Sequence, residues 1–287
     1  MANPYKYVNY DETRIAQPFP EGFYACIERD GDIVIRNLKE ESLEWGSDRI
    51  KFWSDSNKDK YPYSRNYNFQ YMEMYNWRES EDRKCDYFYG GCRIKPNDVV
   101  VDIGANVGMF ARLAKEMGAK HVYAFEPSHD AFKCMMYNTY HTYMSSYKAC
   151  VHNFTGFTDV NITDNTYPMA EIVRPSHELE TVESVPCYTL DDLIEFGILP
   201  SKIDFMKIDV EGSEVEVFEG FSNENLANID RLAMEAHFAP ENSFNRNDQV
   251  IDVLERLCQS FPNSYQLDYN VDGDRNKHWT RTITLWK

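Results

Sequence analysis

The chain has 287 residues, 43% hydrophobic and 27% charged, a globular profile that fits one large domain with an added segment. A net charge of −17 without any Lys/Arg cluster argues against nucleic acid and anionic membranes as partners. No apolar run approaches the roughly 20 residues that cross a bilayer, and the opening MANPYKYVNYDETRIAQPFP lacks the features of a secretory signal, so the expected location is the cytoplasm.

Residues 1–90 read as an aromatic-rich extension and 91–287 as the main domain. The extension carries one hairpin signal, FYACIERDGDIVIRN, in which Asp30-Gly31 separates two β-prone runs. From Trp45 to Tyr89 aromatic residues recur with little apolar periodicity, as a substrate-facing cap or a layer packed on the main domain. From Pro96 onward strand and helix alternate, the sign of a parallel sheet with helices on both faces. The spacing predicts strands at 98–104, 121–127, 147–153, 202–212 and 229–237. Helices are expected from Gly108 to Gly118, from Ser128 to Tyr143, from an N-cap at Thr189 to Gly197, and around Val250, Leu254 and Leu257. Late β-like runs at 264–269 and 280–286 complete an open, doubly wound α/β sheet of seven strands whose last strand runs antiparallel. The segment 154–188 has no assigned place, and seven scattered cysteines without a CxxC pair read as free thiols in a reducing compartment.

The break in VVVDIGANVGMFARLAKEMG follows the first strand of that sheet, where open α/β sheets place their ligands. Gly104 can turn without steric cost, and Gly108 admits close packing at the helix start. The dinucleotide pattern G-x-G-x-x-G fails, because its second glycine would fall on Asn106 and its third position is not glycine either. S-adenosylmethionine is the alternative. Asp102 can help orient its ammonium group, directly or through water, and Glu126, ending the second strand, can accept two hydrogen bonds from ribose hydroxyls.

VVVDIGANVGMF (99–110), AFEP (124–127), TLDDLI (189–194), MKIDVEGSE (206–214) and MEAH (234–237) together resemble the FkbM family of S-adenosylmethionine-dependent methyltransferases, over about residues 85 to 286. The resemblance implies a class I methyltransferase fold and methyl transfer to a hydroxyl, often on a sugar or polyketide-like product. It assigns the cofactor loop to Asp102, Gly104, Asn106 and Gly108 and the ribose acid to Glu126. One departure is Ala149-Cys150-Val151-His152-Asn153, where the family often reads otherwise, which leaves the adenine contact unassigned.

A hydroxyl is a poor nucleophile until its proton begins to leave, so a positioned base is needed. Lys207, Asp209, Glu211 and Glu214 crowd the end of the fourth parallel strand, and Glu235 and His237 end the fifth. Residues 207, 209 and 211 alternate along one strand face, as do 235 and 237, so the two sets can converge. His237 is the first choice for base and Asp209 the second. Lys207 can pair with a carboxylate or steady developing alkoxide charge. Asp209, Glu211, Glu235 and His237 also form an oxygen-rich divalent-metal set, the less favoured option. The leading expectation is an O-methyltransferase acting on a small-molecule or glycan hydroxyl, with a homo-oligomer left open. The alternatives are methylation of a nitrogen or carboxylate on a peptide or metabolite, and a cofactor-binding module without transfer activity.

Overall fold

The computed structural model describes residues 87–139, 142–163, 169–172, 182–238, 247–269 and 279–287, together with the backbone of 23–27 and 33–37. β1 (Phe23–Ile27) and β2 (Ile33–Asn37) pair antiparallel from Phe23↔Asn37 to Ile27↔Ile33, as the Asp30-Gly31 signal predicts. The turn itself, and the aromatic segment up to residue 86, lie outside the described residues. Next come β3 (Val99–Ile103), α1 (Met109–Glu116), β4 (His121–Phe125), α2 (His129–Asn138) and β5 (Ser145–Tyr147). β6 (Cys150–Val151), β7 (Gly156–Thr163), β8 (Met169–Ile172) and β9 (Val182–Tyr188) follow. After them run α3 (Leu190–Glu195), β10 (Ile203–Ile208), α4 (Glu214–Glu219), α5 (Asn223–Leu226) and β11 (Ile229–Phe238). The order closes with α6 (Asn247–Ser260), β12 (Asn263–Tyr269) and β13 (Trp279–Trp286).

Seven strands form the central sheet in the order β12-β13-β11-β10-β3-β4-β5. From β5 to β11 every neighbouring pair is parallel, whereas β13 runs antiparallel to both β11 and β12. This is the class I methyltransferase layout that the resemblance implies. Strand order reverses between β3 and β10, so the crevice for a ligand opens at their carboxyl ends.

Helices cover both faces because the central strands bury both sides. On one face Val100, Phe205 and Ala233 pack against Met109 and Leu113 of α1, Met135 of α2, and Tyr87, Phe88, Cys92 and Ile94 of the segment before β3. On the other, Val101, Ile103, Met206 and Leu232 meet Leu190 and Leu193 of α3, Val217 and Phe218 of α4 and Leu254 and Leu257 of α6. Thr189 caps α3 as its sequence predicts, its hydroxyl accepting from Asp192 N at 2.9 Å.

The structure departs from the sequence expectations in the middle of the chain. The third strand of the sheet is Ser145–Tyr147 rather than 147–153: the chain then leaves the sheet, and Cys150 and Val151 pair with Cys187 and Tyr188 of β9. The unplaced segment builds a second sheet, β6-β9-β7-β8, with a small core of Cys150, Val160, Val185 and Cys187. The helix expected to run to Tyr143 ends at Asn138, whose side-chain amide donates to Val107 O at 2.8 Å instead of facing solvent.

Candidate active site

At the end of β3 the chain turns through Gly104, with φ at +74°, and the N–H groups of Gly104 and Ala105 both donate to Phe125 O, at 3.0 and 2.9 Å. A Cβ on Gly104 would lie 1.7 Å from Asp209 O, so only glycine lets this turn approach the loop after β10. Gly108, with φ at +81°, admits α2 to the start of α1, since a Cβ there would meet Met135 Cγ at 2.6 Å. Asn106 between them is left-handed, with φ at +48°, a conformation that asparagine tolerates.

Glu126 binds that turn to the second strand. Its Oε2 accepts from Asn106 N and its Oε1 from Ser128 N, both at 2.8 Å. Burial pushes its carboxyl up to about 7, against the opposing pull of these two N–H groups. Each oxygen keeps a further lone pair, enough for the two hydroxyls of a ribose. Asn106 Oδ1 is buried and accepts no hydrogen bond among the described residues. A turn without side-chain bulk, a two-oxygen acceptor beside it and an unsatisfied amide oxygen fit an adenosyl ligand.

Asp102 and Lys207 face each other in register on adjacent strands. Lys207 Nζ lies 3.3 Å from Asp102 Oδ1 and 3.4 Å from Asp209 Oδ2, and it donates to Gly104 O at 2.7 Å. Burial works against the ammonium charge, but the Asp102 and Asp209 carboxylates outweigh it and raise its pKa. For Asp102 burial dominates and raises the carboxyl, with Lys207 pulling it back. Neither Asp102 oxygen takes a well-formed hydrogen bond among the described residues, and the side chain has no exposed surface.

β10 stops at Ile208, earlier than expected, so Asp209 and Glu211 reach the site from a turn rather than by strand alternation. Asp209 N still donates to Ile103 O at 3.0 Å, while Glu211 is left-handed with φ at +51°. The convergence with β11 nevertheless occurs. His237 Nε2 lies 3.1 Å from Glu211 Oε2, and His237 Nδ1 donates to Glu214 Oε1 at 2.7 Å. A carboxylate can only accept, so this geometry suits a doubly protonated ring. Burial opposes that charge, yet Glu214 and Glu211 raise the imidazole well above its ordinary value. Ligand atoms of Asp209, Glu211 and His237 lie within 4.8 Å of one another and could hold a divalent ion only after the Nε2 proton is displaced. Glu235 stands apart from that trio, on the phenol of Tyr87.

Tyr87 and Arg231 are the residues that sequence reasoning missed. The Tyr87 hydroxyl donates to Asp209 Oδ2 at 3.0 Å and lies 3.4 Å from Glu235 Oε2. Arg231 forms a buried fork on Asp98, at 2.9 and 3.1 Å, and donates to Arg93 O at 2.6 Å. The partners are separated by more than a hundred residues, so no local pattern marks them.

Sheet order, glycine turn and paired carboxylates together define a class I methyltransferase domain. Residues 102–261 match the methyltransferase FkbM domain, and the chain belongs to that family. It is 29% identical over 143 residues to the hexuronic acid methyltransferase AglP of Haloferax volcanii, covering 49% of this chain and 56% of that one. It is 27% identical over 197 residues to the 31-O-demethyl-FK506 methyltransferase FkbM of Streptomyces tacrolimicus, covering 56% and 73%. The match thus spans little more than half the length of the first of these relatives. Among solved structures, methyltransferase FkbM from Methylobacillus flagellatus KT superposes with a TM-score of 0.47 at 16% identity, covering 70% of this chain and 47% of that one. No described helix is long and apolar enough to cross a membrane.

Proposed function

We propose that this protein is an S-adenosylmethionine-dependent O-methyltransferase acting on a hydroxyl of a sugar or glycoconjugate. The observation that carries the reading is Asp209 Oδ1, a buried carboxylate oxygen with no hydrogen-bond partner among the described residues, one strand from the glycine turn. Oδ2 of the same group is engaged by Tyr87 and Lys207, which leaves Oδ1 to accept a proton.

S-adenosylmethionine supplies an electrophilic methyl group on its sulfonium. Glu126 and the Gly104 to Gly108 turn would hold the nucleoside, and Lys207, paired with Asp102 and donating to Gly104 O, braces that turn. Transfer requires the acceptor oxygen in line with the methyl carbon and sulfur, with water excluded. Asp209 would take the proton of the acceptor hydroxyl, and Lys207, already paired with that carboxylate, steadies its negative charge before the transfer. Of the two candidate bases Asp209 is favoured over His237, because an imidazolium held by two glutamates has no lone pair to offer.

The two relatives named above are, by their names, methyltransferases of a hexuronic acid and of 31-O-demethyl-FK506.

Incubation with labelled cofactor and a panel of neutral sugars, uronic acids and glycans, read by mass spectrometry for the gain of one methyl, tests the assignment. Methylation of a nitrogen or carboxylate instead of a hydroxyl overturns it, as does cofactor binding without transfer to any member.

A further inference from the structure

Tyr87 precedes the residues that carry the family match, 102–261, yet its side chain enters the site. Besides its contacts to Asp209 and Glu235, its ring stands edge-on to Phe110, with centroids 5.5 Å apart and planes at 81°, and Lys207 Nζ lies 5.5 Å from its centre. A strap of residues 87–94 delivers it. Phe88, Cys92 and Ile94 are buried in the core, and Cys92 Sγ donates to Leu232 O at 3.5 Å. Gly90 and Gly91 lie flat on Trp286, where added Cβ atoms would come within 2.3 and 2.5 Å of the indole. Arg231 holds the far end through Arg93 O.

We propose that Tyr87 is a positioning residue for methyl transfer, its hydroxyl fixing the Asp209 carboxylate beside Glu235 so that Oδ1, buried and without a partner among the described residues, keeps one orientation as the base. This rests on the reading of Asp209 as the base. Two carboxylates converge on one phenol, and like charges at that range repel. The phenol has a single proton, and the shorter contact gives it to Asp209 Oδ2. With Lys207 on the same oxygen, both donors act on Oδ2, and the remaining basic oxygen is Oδ1. Without the phenol, Oδ2 is held by Lys207 alone at 3.4 Å, and a displaced base costs up to about a hundredfold in rate.

The test is Tyr87→Phe, which keeps the ring contacts and removes the proton. With methyl α-glucopyranoside as probe acceptor and S-adenosylhomocysteine as the measured product, kcat falls about 10- to 100-fold, while the cofactor Kd and acceptor KM change by less than about threefold. Added to Asp209→Asn, the same substitution costs nothing further, because the group it acts through is gone. p-Aminophenylalanine at position 87, which retains a donor, restores kcat. An acceptor-independent readout is the ¹³C resonance of the labelled Asp209 carboxyl, which moves in Tyr87→Phe. Unchanged kcat in Tyr87→Phe beside an inactive Asp209→Asn overturns this inference alone. Full activity of Asp209→Asn removes the base assignment and the inference with it. An unmoved Asp209 resonance overturns it without any acceptor.

Discussion

The backbone N–H of Asn106 donates to Glu126 Oε2 at 2.8 Å, so the turn after β3 is fastened to the carboxylate that follows β4. Burial holds that carboxyl near 7, and hydroxyl donors from a ribose favour its ionised form. If Glu126 takes the ribose hydroxyls, cofactor binding near pH 7 releases protons, and affinity weakens as the pH falls below that value. Calorimetry in buffers of different ionisation enthalpy reads the release directly, and Glu126→Gln abolishes it. In the ligand-free protein the same shift lowers stability as pH rises from 4.5 through about 7, because the unfolded chain gives up the proton first. Binding that is flat across this range rules out Glu126 as the ribose acceptor.

Lys207 lies between two carboxylates, with only 4% of its side chain exposed. Lys207→Met leaves Asp102 buried without a counter-charge, and removing one partner of a buried pair costs about 3–5 kcal/mol. Urea denaturation at neutral pH shows the loss. The deficit shrinks as the pH is lowered, since Asp102, already raised by burial, can then take a proton. A variant as stable as the wild type would mean that the pair contributes nothing.

Gly104 and Gly212 both have positive φ, but only one is crowded. A Cβ at Gly104 strikes Asp209 O, whereas nothing lies within 4 Å of a Cβ at Gly212. Gly212→Ala thus carries the backbone term alone, about 1–2 kcal/mol. Gly104→Ala must also push the Asp209 loop aside, so it loses both more stability and cofactor affinity. Equal Tm values for the two variants contradict this.

His237 titrates above its usual range, held there by Glu214 and Glu211 against burial. Its contribution is fully present below 6.5 and is lost as pH rises through the raised value. His237→Gln is consequently most destabilised relative to wild type on the acid side, and the gap narrows toward alkaline pH. An NMR titration that finds the ring neutral at pH 7 would falsify the charged pairing.

The parts of this fold legible in the sequence are those whose cause is local. The apolar runs of β3, β4, β10 and β11 announce strands buried on two faces, and Thr189 announces its helix by a hydroxyl three residues from the N–H it caps. Gly104 and Glu126 were readable as a pair because the first two strands are joined by one short helix. The second sheet was not legible: its strands bury one another rather than a broad face, and β9 carries Pro186 within a strand. Neither was the strap, whose phenol meets Asp209 122 residues later in the chain. For Glu211 the period-two pattern was misleading, since a left-handed turn, not a strand, brings it to His237.

Among the described strands, β12 joins the sheet through β13, which comes after it in the chain. In chain order β12 precedes the strand it pairs with, and β11 lacks its β13 neighbour until residues 279–286 have been made. A chain lacking those residues would expose unpaired strand edges of the kind that template aggregation.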